Sequence, residues 1–387
     1  MMQDVVIVGG GMVGASLAVA LSRAGMQVSL VERQALAQRP ADAPFDLRVS
    51  AINRRSEQWL DSLGAMASIQ QSRIQPYHTL RCFEGKQAPL DFTAAELNEQ
   101  RLGFMMENLE IQRSLWQNLP DNVKLHCPAD VQTMSQHLDH VELTLQDGQC
   151  LQARLVIAAD GALSKIRQFA GIGQTGWQYE QACMLINIQT AYNSLPMTWQ
   201  QFTEHGPRAY LPMPGKQASL VWYDQHARVA QLSKLTPAQL KAEILQHFPA
   251  DVGDFTVEHA AYFPLTRSHA NRYFSGRVVL VGDAAHTINP LAGQGVNLGF
   301  ADALALSQLL IAQFQQQQDL AEPAMLARYE RKRRLANSTM MNAMDAFYQV
   351  FSSPLAPVRT LRTFGLQLAS KAGPLKALVG KYAAGLV

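Results

Sequence analysis

Residues 278–302 read VVLVGDAAHTINPLAGQGVNLGFAD. The β-branched run Val278 to Val281 has the character of a buried strand, and it ends at Gly282-Asp283. The loop beyond it holds Pro290 and three glycines, Gly293, Gly295 and Gly299, and a helical pattern follows. Strand, carboxylate, glycine loop and helix in this order suit a flavin. Asp283 can take the ribityl hydroxyls. The loop lets backbone N–H groups approach the ring, because glycine has no Cβ to obstruct it. The helix start aims its positive end at the ring edge where reduced flavin carries negative charge.

A second nucleotide element stands at the amino end. Residues 5–14, VVIVGGGMVG, give a buried strand and then Gly9-x-Gly11-x-x-Gly14. A helix follows from Ala15 to Ala24, and a second strand, Val28 to Val31, ends in Glu32. This is the βαβ dinucleotide fingerprint: Gly9 for the tight turn, Gly11 to admit the pyrophosphate, Gly14 for helix–strand packing, and Glu32 for the adenosine ribose. A carboxylate there favours a free 2′-hydroxyl, as in FAD or NAD.

Composition narrows the field. With 387 residues, 48% hydrophobic and 17% charged, the chain has room for two or three lobes of an ordinary globular protein. A net charge of +2 gives no argument for nucleic acid. The apolar start is a strand leading into glycines, and no run of the roughly 18–20 apolar residues needed for a membrane span is apparent, so a cytoplasmic protein is expected. Cys82, Cys127, Cys150 and Cys183 lack C-x-x-C spacing and are expected to be reduced. The ten histidines form no H-x-x-x-H or H-E-x-x-H set, so no metal site is expected.

The two nucleotide elements lie far apart in sequence, so one FAD gripped by both requires a discontinuous domain. The expected pieces are 1–75, 101–175 and 265–340. Within the second, Glu107 to Leu119 has a helical pattern, and Val123 to Leu125, Val141 to Leu145 and Leu151 to Ile157 are short strands. Residues 76–100 and 176–264 differ. Alternating runs at Thr198 to Phe202, Ala209 to Leu211 and Ser219 to Tyr223 predict antiparallel strands, and 237–248 predicts a helix opened by Pro237. This material is expected to form a substrate-binding sheet lobe. Residues 341–387 are expected to be helical and carry Arg359, Arg362, Lys371, Lys376 and Lys381 among apolar residues. That character suits a membrane surface or a partner protein, and equally a hairpin packed on the FAD domain.

A third motif, LVIAADGALSKIR (155–167), brings a strand to Asp160-Gly161. Asp160 belongs either near the cofactor or in a helix cap paired with Arg167. These three motifs, in this order, resemble the FAD-dependent aromatic hydroxylases, the group A flavoprotein monooxygenases related to p-hydroxybenzoate hydroxylase. Within that family, NPLAGQGVNLGFAD, WQYEQACMLI (177–186), TWQQFTEHGPRAYLP (198–212) and ASLVWYD (218–224) resemble the ubiquinone-biosynthesis hydroxylases. The resemblance implies an α/β fold with an α+β second lobe: a Rossmann-type FAD domain, an antiparallel-sheet substrate lobe and C-terminal helices. It implies an FAD monooxygenase with NAD(P)H as transient co-substrate, O₂ as oxygen source and a polyprenyl benzoquinol, 2-polyprenyl-3-methyl-6-methoxy-1,4-benzoquinol, as substrate. Rival readings are another ring position, a soluble phenol, or a non-catalytic FAD-binding scaffold of a ubiquinone-biosynthesis protein complex. Peripheral contact with the inner face of the membrane and a homo-oligomer complete the partner expectations.

By matching position, the resemblance places Arg48 (in DLRVSAI) at the FAD phosphate–ribityl region, and Pro290, Gly293, Gln294, Gly295, Val296 and Asn297 along the isoalloxazine ring. Asn108 stands where relatives carry Arg or Gln against the flavin chain. A base would help a quinol react, but no residue has a spacing argument for the role. His286 and Tyr210 are weak candidates, with His205 and Tyr223 beside them. Met184, Ile186, Trp199, Phe202, Leu211, Trp222 and Phe263 are either walls of an apolar pocket or the sheet's ordinary core.

Overall fold

A computed structural model describes residues 2–37, 39–40, 43–69, 73–85, 89–289, 293 and 295–352. Pro290, Gln294 and the stretch 353–387 lie outside the described residues.

The first strand, Gln3–Val8, is apolar on both faces and lies at the centre of an eight-stranded sheet. Val28–Val31 and Cys150–Ala158 flank it in parallel. Lys124–His126 lies beyond the former and Val278–Leu280 beyond the latter, again parallel. One strand therefore separates the amino-terminal glycine turn from the Gly282-Asp283 turn, and both leave the sheet at its carboxyl edge, where ligands of open α/β sheets bind. A hairpin, Val131–Gln136 and Val141–Leu145, is joined antiparallel to Cys150–Ala158.

Two helices cover this edge. Met12–Arg23 begins three residues earlier than expected, directly at Gly11. Gly295–Gln315 packs beside it, with Val13 between: a Cβ on Gly282 or Gly299 would stand 3.3 or 2.6 Å from Val13 Cγ2. Among the described residues, Gly295–Gln315 is the one helix long and apolar enough to cross a membrane, although no such run was expected. Its composition has another cause. The helix is half buried in the core, and its Asp302 joins a buried ion-pair network with His286 and Arg333.

The second large sheet also has eight strands. Its long members, Gln174–Thr190, Phe255–Ala270 and Gln217–Gln225, are antiparallel, and Arg208–Met213 and Met197–Phe202 continue them. Thr79–Glu84 then adds in parallel to Met197–Phe202, followed by Leu90–Thr93. The expected helix at 237–248 is Pro237–His247, opened by a reciprocal Thr236/Gln239 capping box. It packs on one face of this sheet against Met184, Ile186, Leu220 and Trp222. A small third sheet has the order Val49–Asn53, Gly103–Glu107 and Ile74–Tyr77, all antiparallel, and its strands fall in the chain between Val28–Val31 and Lys124–His126.

Candidate active site

The glycine turn after Gln3–Val8 is held from three sides. Gly9 adopts φ +106°, and a Cβ there would stand 2.2 Å from the Ala159 carbonyl oxygen. A Cβ on Gly14 would meet the Gly9 carbonyl oxygen at 1.9 Å, so helix and strand can pack only around glycine. Gly11 is the opposite case: nothing lies within 4 Å of its Cβ position, and it faces a cavity of about 570 Å³. Gln112 Nε2 and Trp116 Nε1 both donate to the Gly10 carbonyl at 2.8 Å, and the Gly10 N–H donates to Glu32 Oε2 at 2.6 Å. Glu32 Oε1 accepts from Gln34 N, so each oxygen retains a lone pair for a ribose hydroxyl.

Gly11, Arg48, Asn108, Gly161, Asp283, Gly293, Gly295 and Val296 all line the same cavity. No hydrogen bond to the Asp283 carboxylate is present among the described residues, and the side chain keeps accessible surface where it meets the cavity. Its pKa is pushed above the usual carboxylate range, chiefly by desolvation, against the opposing charges of His286 and Arg48. Arg48 has no ion-pair partner among the described residues. Its loop is anchored by buried Glu107, which pairs with Arg73 at 2.7 and 2.9 Å and with Arg39 at 2.8 Å, and takes the Asp46 N–H. Asn108 accepts from Ser50 Oγ at 2.6 Å through Oδ1, which leaves its amide N–H₂ for the cavity.

Asp160 takes the capping role, without the expected Arg167 pairing, and is not among the residues lining the cavity. Its Oδ2 caps the short helix Lys165–Phe169 through Ile166 N, while its buried Oδ1 has no partner. Arg167 does not pair with it. The guanidinium donates instead to the Ala284 and Ala162 carbonyls, tying this turn to the Gly282-Asp283 turn. Asn297 holds the other side: its Oδ1 accepts from Asn53 N and its Nδ2 donates to the Ala51 carbonyl at 2.8 Å.

These features fit a flavin dinucleotide: an open position at Gly11, a helix start there that no side chain caps, and, among the described residues, an unpaired carboxylate at Asp283 and an unpaired guanidinium at Arg48.

The opposite wall comes from the second sheet. Leu185, Val221, Tyr223, Ala209, Leu211, Phe263 and Leu265 line it, with Cys183 and Trp199. Side chains alternate between faces along a strand, and the odd members of 183–185 and 221–223 face the cavity. Met184, Ile186 and Trp222, weighed above as walls, face the helices and are core. Phe202 is not among the lining residues; Trp199, Leu211 and Phe263 are. Of the candidate bases, His286 is 1% exposed and hydrogen-bonds Asp302 at 2.5 Å, and Tyr210 bonds Ser194 and stacks on Trp199. Neither lines the cavity, and nor does His205. Tyr223 does. Burial raises its pKa well above the ordinary value, so its phenol is a donor at neutral pH.

A family model described as an FAD binding domain matches residues 2–344. The chain belongs to this family, and it is an FAD-dependent monooxygenase with the mixed α/β fold of the p-hydroxybenzoate hydroxylase type. It is 46% identical over 385 residues to 3-demethoxyubiquinol 3-hydroxylase of Escherichia coli (strain K12), covering 99% of this chain and 98% of that one. It is 35% identical to ubiquinone hydroxylase UbiL of Rhodospirillum rubrum, over 99% and 89% of the two chains. The crystal structure of p-nitrophenol 4-monooxygenase PnpA from Pseudomonas putida DLL-E4 shares the fold, with TM-score 0.79 and 20% identity over 99% of this chain and 98% of that one.

Proposed function

We propose that this chain hydroxylates the ring of 2-polyprenyl-3-methyl-6-methoxy-1,4-benzoquinol in ubiquinone biosynthesis, with O₂ as oxygen source and NAD(P)H as hydride donor. The 46% identity to the E. coli 3-hydroxylase across nearly both full lengths carries this reading. FAD, when bound, supplies the redox chemistry that moves electrons from the nicotinamide to O₂ and an oxygen atom to an electron-rich ring.

The residues do the rest. Gly11 and the start of Met12–Arg23 hold the pyrophosphate, and Glu32 holds the adenosine ribose. Arg48 and the Asn108 amide bind along the phosphate–ribityl chain, and Asp283 takes the ribityl hydroxyls. The start of Gly295–Gln315, with Gly293, presents backbone and the positive helix end to the ring edge. Leu185, Val221, Leu211 and Phe263 keep water out and seat an apolar substrate. Tyr223 donates a hydrogen bond to a quinol oxygen and orients the ring. A prenylated substrate resides in the bilayer, which supports a cytoplasmic protein held peripherally at the inner face of the membrane. Docking to other enzymes of the pathway and self-association extend the same reading.

The test uses FAD-loaded protein, a short-tailed quinol, NADH or NADPH and ¹⁸O₂. Expected are a tenfold or greater stimulation of NAD(P)H oxidation by the quinol and one labelled hydroxyl at the predicted carbon. Bound FAD with no stimulation would favour the scaffold reading. Label at a different carbon would move the assignment toward another ubiquinone-precursor position.

A further inference from the structure

Two histidines that do not fit the familiar helical spacings meet on a hairpin outside the cavity. Residues 137–140, HLDH, form the two-residue turn between Val131–Gln136 and Val141–Leu145, closed by the His137 N–H donating to the His140 carbonyl at 2.8 Å. Residues opposite one another across a hairpin share a face, and so do residues two apart on a strand. His137, His140 and Glu142 therefore share one face, while Val141, on the other, is fully buried in the core. The two imidazoles stack with centroids 4.5 Å apart, and His137 Nε2 lies 3.7 Å from Glu142 Oε2.

We propose that His137, His140 and Glu142 form a zinc-binding site. Their donor atoms all lie within 4.8 Å of one another. A tetrahedral zinc ion with bonds of about 2.0–2.1 Å needs ligands about 3.4 Å apart, so the two stacked imidazoles must rotate out of their near-parallel arrangement for their lone pairs to converge on one ion. His140 Nδ1 is 2.8 Å from Asp139 Oδ1, the carboxylate–histidine pairing that fixes a tautomer and leaves Nε2 for a metal. Cys150 Sγ, from the neighbouring strand, lies 2.8 Å from Glu142 Oε1, so the carboxylate sits between a thiol and an imidazole. Water supplies the fourth ligand. Two imidazoles and one carboxylate select a borderline-soft ion over Mg²⁺ or Ca²⁺, which require oxygen donors. The nearby cation, Arg277, donates to the Leu138 carbonyl, and its charge is paired with Asp319 at 2.8 Å. None of the three proposed ligands lines the cavity, so the site is separate from the flavin chemistry.

The test is a Zn²⁺ titration of chelator-stripped, FAD-loaded full-length protein against a chromophoric zinc indicator, with flavin content as the control for folding. One Zn²⁺ per chain is expected. His137→Ala and His140→Ala should each weaken binding at least tenfold, while His205→Ala, on a distant loop, leaves it unchanged. Glu142→Gln should weaken binding and retain full flavin content. Unchanged zinc affinity in both His137→Ala and His140→Ala, or no stoichiometric binding by the unaltered protein, overturns the proposal.

Discussion

Gly11 and Gly14 are three residues apart, and their missing side chains serve different ends. A Cβ on Gly14 would collide with the backbone of Gly9, whereas one on Gly11 would enter empty space in the cavity. Gly11 has φ −64° and ψ −179°, a conformation any residue accepts. Gly11→Val should therefore fold with a melting temperature close to that of the unaltered apoprotein, and lose FAD. Gly14→Ala should fail at folding itself, by several kcal/mol of overpacking. Calorimetry of the two apoproteins beside flavin titration distinguishes the roles; equal melting with equal FAD loss would refute the distinction. Asp283→Ala should cut FAD affinity tenfold or more, read by fluorescence on flavin release. Because desolvation raises this carboxyl's pKa, flavin retention should also weaken as pH falls through it. The packing glycines Gly9 and Gly14 were legible because backbone geometry leaves a direct mark in sequence. Gln112 and Trp116, which clamp the Gly10 carbonyl, left none: their distance from the turn is about a hundred residues, and either would pass for an ordinary helical residue.

At the scale of elements, the motifs and most strands could be read, but the inward face of the substrate-side sheet could not. ACMLI (182–186) and SLVWY (219–223) are apolar at nearly every position, so period-2 alternation gives no parity. Parity is set by the helices that cover one side. The structure assigns Trp222 to that side and Val221 to the cavity. Trp222→Ala should cost about 3–5 kcal/mol of stability, while Val221→Trp should leave stability within about 1 kcal/mol and raise KM for the quinol. Denaturant melts and steady-state kinetics check both; a stability loss in Val221→Trp as large as that in Trp222→Ala would reverse the assigned parity. Helix Gly295–Gln315 contributes a second element-scale prediction through Asp302. Burial alone would raise this carboxyl's pKa, but His286 and Arg333 outweigh it and hold the value at about 2. A pKa depressed in the folded state adds stability that is present above the ordinary value near 4 and is lost as pH falls from about 4 to about 2. On the order of 2–3 kcal/mol should disappear in that window. Asp302→Asn should be unstable already at neutral pH, by about 3–5 kcal/mol, because Arg333 is left buried without a counter-charge. Acid melts that show no difference between the two proteins would remove Asp302 from the stabilising network.

For the molecule as a whole, the cavity belongs to neither large sheet alone. One wall comes from turns at the carboxyl edge of the nucleotide-side sheet, the other from the apolar face of the second sheet. On the proposed function a long apolar tail has to reach this cavity, and the charge distribution along the chain bears on the proposed membrane contact. Residues 353–387 contain Arg359, Arg362, Lys371, Lys376 and Lys381 and no acidic residue, while the whole chain carries only +2. The remainder is therefore net negative, and the carboxyl-terminal stretch is the densest source of unopposed positive charge for an anionic leaflet. Each basic residue near such a surface contributes about 1 kcal/mol. Replacing Arg359, Arg362, Lys371, Lys376 and Lys381 together by Gln should release the protein from vesicles containing anionic lipid, with partitioning falling at least a hundredfold at low salt. FAD content and turnover of a short-tailed, water-soluble quinol should stay unchanged, because such a substrate reaches the enzyme without a membrane. Co-sedimentation with anionic and with neutral vesicles separates the contributions. If the variant binds anionic vesicles as tightly as the unaltered protein, the carboxyl-terminal charges are not the contact, and membrane access must be sought on the rim of the cavity itself.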